Sequence, residues 1–230
     1  MTDGNGAWQL LISGDPALFA IVTLSLTVSL SATALAAIIG MPLGGILALT
    51  HFAGRAVLVV LLNALMGLPP VVVGLAVYLL LSRSGPLGAM GVLFTPAAMV
   101  IVQTLLVVPI IAALARQTIE DLWVEYRDEL TAMDVNPIGR MTTLLWDARY
   151  SLLTALLAGF GRAAAEVGAV MIVGGNIEGF TRTMTTTVAL ETSKGNLPLA
   201  MGLGLVLVAI VLSINAAAWG TRVWSERQTG

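Results

Sequence analysis

The chain has 230 residues, 57% of them hydrophobic and only 10% charged, with a formal net charge of −2. A mean hydropathy of +0.94 excludes an ordinary soluble domain, in which roughly 25% of residues are charged, and marks a polytopic membrane protein. The balance also lacks the basic surface that nucleic acid requires; without Cys there are no disulfides or thiolate metal sites, and the single His51 cannot build a metal site alone.

The first 16 residues carry Asp3 and Asp15 but no Lys or Arg, so they lack the basic region of a cleaved signal peptide. The first span is therefore expected to act as the insertion signal. Five apolar segments follow, roughly 17–49, 56–81, 96–115, 151–174 and 197–219. Each meets the need for about 20 apolar residues in a spanning helix.

The first segment is long: its 33 residues, at about 1.5 Å of rise each, would reach roughly 50 Å. It must tilt, extend beyond the bilayer or break, and Gly40-Met41-Pro42 is the expected break. The second carries Pro69-Pro70, which removes helical hydrogen bonds, and that is tolerated in a membrane only where neighbours or water satisfy the freed carbonyls. This reads as a break beside a transport pathway or as a packing kink. The third segment opens at Pro96, a good first helical position, and meets Pro109 near its middle.

Between the third and fourth segments lies a polar interruption, Arg116 to Tyr150, whose 35 residues hold 11 of the 24 charged side chains. Such a stretch between spanning runs has to sit in water on one side of the membrane. With five spans, one side receives Arg55, Arg116, Arg127, Arg140, Arg149, Arg222 and Arg227, and the other only Arg83, Arg182 and Lys194. This bias predicts a cytoplasmic polar segment and C-terminus, with the N-terminus outside. It requires that 175–196, with six Thr plus Arg182, Glu191 and Lys194, not cross the bilayer, so an external loop or surface helix is expected there. No internal repeat, low-complexity tract or linker is visible. Residues 1–230 therefore read as one transmembrane domain, with 116–150 as its cytoplasmic segment.

Within that segment, alternation of acidic, basic and aromatic residues up to about Glu129 suits a helix leaving the membrane into water. Asp128 or Thr131 is placed to cap a short helix ending by Asn136, since the residue before Pro137 disfavours helical angles. A second helix from Ile138 is expected to run into Trp146. The turn between them presents Ala132, Met133 and Val135 as small apolar knobs among carboxylates. Apolar residues at an exposed tip point to a partner's groove, against the plainer reading of a solvated connection.

The run Asp128-Glu129-Leu-Thr-Ala132-Met133-Asp134 resembles the cytoplasmic Glu-Ala-Ala loop of permease subunits in ATP-binding-cassette (ABC) importers. It departs from that loop in carrying Asp134 where Gly is usual, and Trp146-Asp147 in place of Leu-Pro. Two further stretches, Gly67-Leu-Pro-Pro-Val-Val-Val-Gly-Leu75 and Ala165-Glu-Val-Gly-Ala-Val-Met-Ile-Val-Gly-Gly-Asn-Ile177, are similar to permeases for tungstate and molybdate. The continuation from Arg182 to Gly195 is closest to the tungstate branch. The similarity runs from about Gly14 to Ser213.

The resemblance implies an all-α membrane protein with the type I importer fold. Two permease copies would form the pore, an external solute-binding protein would deliver substrate, and two ATPase subunits would hold ATP and Mg, none of it in this chain. The coupling segment would be Glu129 to Pro137, with Ala132, Met133 and Asp134 nearest the ATPase and Val135 and Asn136 beside them. The sequence supports this division of labour independently, since no Gly-x-x-x-x-Gly-Lys-[Ser/Thr] phosphate loop occurs. Five spans are few for a transporter with internal inverted repeats, so a homodimer surrounded by membrane lipid is expected. Gly40 and Gly44, and likewise Gly159 and Gly161, would allow close helix contact, between subunits or within one. His51 and Arg55, on the first short loop of the Arg-rich side, are expected to anchor the interface.

Arg162 and Glu166 stand four residues apart in the fourth segment, where an isolated charge costs at least about 2.5–3.5 kcal/mol on insertion scales and must pair or face water. Their spacing allows pairing on one helix face. They read either as pathway-lining groups, Arg162 attracting an oxyanion, or as a structural ion pair. Pro69, Pro70, Asn176, Thr183 and Thr185 complete the candidate pathway, the last three as amide and hydroxyl donors at its outer mouth. The function expected is the membrane subunit of an ATP-driven importer of tungstate or a related oxyanion, with no chemistry of its own. The alternatives are a molybdate- or sulfate-type permease and a proton-coupled secondary transporter switching on Arg162–Glu166. A membrane-embedded enzyme is disfavoured, because no catalytic cluster is visible.

Overall fold

The computed structural model describes residues 16–229, with side chains through Gly220. Asp3 and Asp15, and the side chains of Arg222 and Arg227, lie outside the described residues. In chain order the helices are α1 (Pro16–Leu49), α2 (Arg55–Met66), α3 (Pro70–Leu81), α4 (Pro96–Ala132), α5 (Pro137–Asp147), α6 (Arg149–Ala164), α7 (Gly168–Gly174), α8 (Met184–Ser193) and α9 (Leu197–Thr229). A single 3₁₀ turn, Gly88–Met90, precedes α4, and no strand occurs among the described residues.

Three helices, α1, α4 and α9, are long and apolar enough to cross a membrane. The pairs α2+α3 and α6+α7 bring the total to as many as five if each broken pair is one span. The first, second and fourth apolar runs thus reappear within a few residues of their expected limits, while the helices of the third and fifth start where expected and run past them, to Ala132 and Thr229. Large apolar side chains such as Val57, Val60, Ile38 and Met201 stand exposed, as hydrocarbon-facing residues do.

Two boundary expectations fail. Helix α1 does not break at Gly40-Met41-Pro42 but runs unbroken over 34 residues with Pro42 inside it. The reason lies in the glycines on either side of the proline. A β-carbon at Gly40 would lie 3.1 Å from the Val108 carbonyl oxygen, and one at Gly44 would lie 2.5 Å from that of Ala112. The turns flanking Pro42 therefore seat directly on the α4 backbone, and that seat holds them in line. The second failure is the short helix expected to end by Asn136. Helix α4 continues without interruption from Pro96 to Ala132, so neither Asp128 nor Thr131 caps anything.

The chain divides into two compact units. The first comprises residues up to Ala32, Pro69–Gln103 and Ala163 onward; the second comprises Thr33–Leu68 and Thr104–Arg162. In the second, Ala48, Ile119, Leu130 and Leu144 form a buried cluster, and Ala115, Ala148 and Leu152 form another. In the first, α3 packs on α7 and α8 on α9.

Candidate functional site

The segment expected to engage a partner occupies the end of α4, a turn, and α5. Helix α4 closes with two reaching hydrogen bonds: Val135 N–H donates to Leu130 O at 3.1 Å, and Asp134 N–H donates to Thr131 O at 3.1 Å. This is the Schellman arrangement, and it requires the residue after the cap to be left-handed. That residue is Asp134, at φ 50°. The position where the resembling family usually carries Gly is thus one whose backbone favours Gly, and Asp is among the few residues that tolerate it. Val135 then folds back on the cluster containing Leu130, the apolar contact that accompanies this turn.

Helix α5 starts as its sequence predicts. The Asn136 side-chain oxygen accepts from Gly139 N–H at 2.7 Å, and Pro137 takes the first helical position. Arg140 fastens the helix to the turn: its Nε donates to Val135 O at 2.7 Å, and its guanidinium lies 5.5 Å from the centre of the Trp123 ring. With Leu144 fully buried, the outer face is left to Met133, Ile138 and Trp146, which are 74%, 75% and 69% exposed. Glu129, Ala132, Asp134, Asn136 and Pro137 are exposed with them, and only Val135 is half-buried. The result is a rigid, capped corner with apolar tips. Deeper in the same unit, Glu120 bridges Arg55 and Arg116, while Arg55 Nε donates to Leu47 O at 2.7 Å. Arg55 thus anchors the turn between α1 and α2.

The second constellation lies where the fourth apolar run is interrupted. Helix α6 ends at Ala164 and α7 begins at Gly168. Arg162 and Glu166 are therefore not on one helix face, contrary to the expectation from their spacing. Arg162 sits in the last turn of α6, where the carbonyl end of a helix favours a cation. Glu166 falls in the break, 4% exposed, and its Oε1 accepts from Ala169 N–H at 3.0 Å, capping α7.

No proline makes this break. Side chains from elsewhere in the same unit hold it instead. Gln103 Nε2 donates to Ala163 O at 3.0 Å, and the Thr185 hydroxyl donates to Glu166 O at 2.9 Å. Ala163 O also accepts from Glu166 N–H at 3.1 Å, so Gln103 adds a second donor there while Thr185 supplies one to Glu166 O, as a water-free environment favours. The hydroxyls expected to serve a passing anion are thus committed to the backbone. Thr183 and Thr186 exchange side-chain and backbone bonds in a capping box at the start of α8, and Met184 N–H donates to the Ser25 hydroxyl at 2.8 Å. Thr181, fully buried, donates to Gly174 O at 2.6 Å and accepts from Ile177 N–H at 2.9 Å. Asn176 is left-handed at φ 49° directly after Gly175.

The segment 175–196 proves to be a turn followed by a helix, α8, whose Met184, Thr186, Thr187 and Glu191 are buried. At its far end Glu191 accepts from Lys194 Nζ at 2.9 Å and Asn196 Nδ2 at 3.0 Å. These two donors hold its carboxyl below the ordinary range.

The other break matches its sequence signal. Pro70 takes the first position of α3, and Pro69 before it is extended. Gln103 and Ser25 were missed by the sequence reading: Gln103 is the one amide side chain in the apolar run 96–115, and Ser25 stands among the hydroxyls Thr23, Thr27 and Ser29. Gly159 packs within the subunit, its β-carbon position 2.8 Å from Val107, whereas Gly161 faces open space. Among the described residues no group of three metal-ligating side chains occurs.

No family model matches the chain. Curated proteins do. It is 42% identical over 204 residues, 86% of its own length and 88% of the relative's, to a probable anion ABC transporter permease protein of Haloferax volcanii. It is 40% identical over 213 residues, 93% of both chains, to the tungstate uptake system permease protein TupB of Peptoclostridium acidaminophilum. The TupB of Campylobacter jejuni is 40% identical over 147 residues, 64% of this chain and 62% of that one.

Proposed function

The chain belongs to the permease subunits of ABC transporters, and on that footing we propose that it carries tungstate, or an oxyanion of the same shape and charge, into the cytoplasm. The observation behind this reading is similarity to tungstate permeases along almost the full length of both chains. It is a multi-pass membrane protein, with each broken pair counted as one span and five spans in all. The N-terminus lies outside and the C-terminus in the cytoplasm, following the arginine bias. Two copies form the pathway, two ATPase subunits bind ATP and Mg, and an external binding protein delivers the anion.

The work of this subunit is mechanical. The apolar tips of Met133, Ile138 and Trp146 seat on the ATPase, with Glu129, Ala132, Asp134, Asn136 and Pro137 around them. Because the corner is capped at both helix ends and fastened by Arg140, motion of the ATPase passes into α4 and α5 without loss in the turn. Arg162 offers positive potential along the pathway, and Pro69, Pro70, Glu166, Asn176, Thr183 and Thr185 shape its narrowest part. Alternating access follows as the spans reorient.

The test is reconstitution with the ATPase and binding protein in liposomes. ATP-driven tungstate accumulation is expected, and Met133→Arg is expected to abolish both accumulation and ATPase co-purification while the permease still inserts. Uptake that needs no ATPase, collapses with the proton gradient and ignores Met133→Arg would refute the reading in favour of a secondary transporter.

A further inference from the structure

The two broken spans share a feature that neither shows alone. Their second halves, α3 and α7, start side by side. A β-carbon at Gly168, the first residue of α7, would lie 2.7 Å from Val71 Cγ2, and Val71 is the second residue of α3. One turn further along α3, a β-carbon at Gly74 would lie 2.7 Å from the Ala169 α-carbon. Contact this close leaves no room for one half-helix to slide past the other, because packed interfaces adopt discrete positions rather than deform continuously.

Both half-helices follow interruptions of the hydrogen-bond ladder, where a helical rod can turn. The first interruption is fixed by Pro69 and Pro70. The second has no such covalent cause. Its anchor is the 3%-exposed Gln103, whose Nε2 holds Ala163 O while its Oε1 is buried without a partner. A buried amide with one unmet acceptor is costly to keep, so Gln103 is not there for packing alone.

We propose that α3 and α7 move as one rigid element during transport, and that Gln103, through the carbonyl of Ala163, is the positioning residue that fixes the break on which α7 turns. The inference rests on the importer reading above and adds to it the moving part. Leu or Met at 103 would fill the same space but leave Ala163 O without that donor.

The chain has no Cys, which makes a direct test possible. The Gly168 β-carbon position is 4.0 Å from Val71 Cβ, within the span a disulfide bridges. In the full transporter in liposomes, Val71→Cys with Gly168→Cys is expected to support the same tungstate uptake oxidised as reduced, since the bond joins parts that already travel together. Uptake lost on oxidation and restored by reductant overturns the proposal.

Gln103→Met supplies the second arm and decides alone if the Cys pair fails to assemble. It is expected to insert normally and keep ATP hydrolysis while the anion carried per ATP falls about tenfold, the factor that one lost hydrogen bond commands. Uptake and hydrolysis that fall together with protein yield, or that do not change, overturn the positioning role. If the unmodified transporter carries neither tungstate, molybdate nor sulfate, it is the importer reading that fails. ATP hydrolysis by the oxidised Cys pair, measured without any anion, still scores the joint motion, and its loss on oxidation refutes it.

Discussion

The two compact units are held together by different physics. In the unit built from 33–68 and 104–162, helices are continuous and meet through small residues, so Gly40, Gly44 and Gly159 allow backbones to touch. In the unit containing 69–103 and 163 onward, the fourth apolar run is interrupted at Ala165–Val167, and a side-chain amide and a hydroxyl donate to the carbonyls beside the break. The contrast shows where a membrane chain spends its polar residues. A continuous span needs none, whereas a broken one needs a partner for every freed group.

Substitutions that one unit tolerates and the other does not would sharpen this contrast, and the largest effect is expected at Gly44. Its β-carbon would collide with backbone rather than with a flexible side-chain end, so Gly44→Ala should cost about 1–3 kcal/mol or more. Gly161→Ala, facing open space, should gain up to about 0.5–1 kcal/mol. Thermal unfolding in detergent reads both, and equal effects would break the packing account.

Next comes Thr181→Val in the interrupted unit, which strands Gly174 O and Ile177 N–H in a dry site and should cost about 1–3 kcal/mol. The hydroxyl of Thr118, in the packed unit, only back-bonds to Leu114 O at 3.0 Å, so Thr118→Val should stay within about 0.5 kcal/mol. At the corner between α4 and α5, Asn136→Ala should cost about 1 kcal/mol through the lost cap. Asp134→Gly should add about 0.5–1 kcal/mol by relieving the left-handed position.

The smallest effect is one of pH. Because Lys194 and Asn196 lower the Glu191 pKa, their stabilisation is present above the unfolded value of about 4.3 and is lost as pH falls through the lower folded value. Unfolding followed downward from pH 6 to 3, roughly the range that brackets that value, should show this loss, and Glu191→Gln should remove it.

Much of this was legible in the sequence, and the illegible parts share a cause. Runs of apolar residues marked the spans, Pro69-Pro70 marked one break, and the helix expected from Ile138 into Trp146 is α5. Each of these is a local signal. The break at Ala165–Val167 carries no Pro, so the fourth run read as one helix. What interrupts it lies 60 residues before, at Gln103, and 19 residues after, at Thr185. Pro42 misled in the opposite sense, because the α4 backbone against Gly40 and Gly44 overrides a local breaker. An exposed tip at Met133 was expected and is present, but the type of its turn was not read, since Asp at a left-handed position disguises a glycine-type end.

The absence of a proline in the fourth span has a consequence for biogenesis. When that segment is first made, no Pro in its own sequence forces it to break. Thr185 and the rest of α8 are synthesised later, so the bond that secures the Glu166 carbonyl cannot form until that downstream chain has been made. The break is therefore expected to be secured in two stages, first by Gln103 and later by Thr185 once the downstream chain arrives.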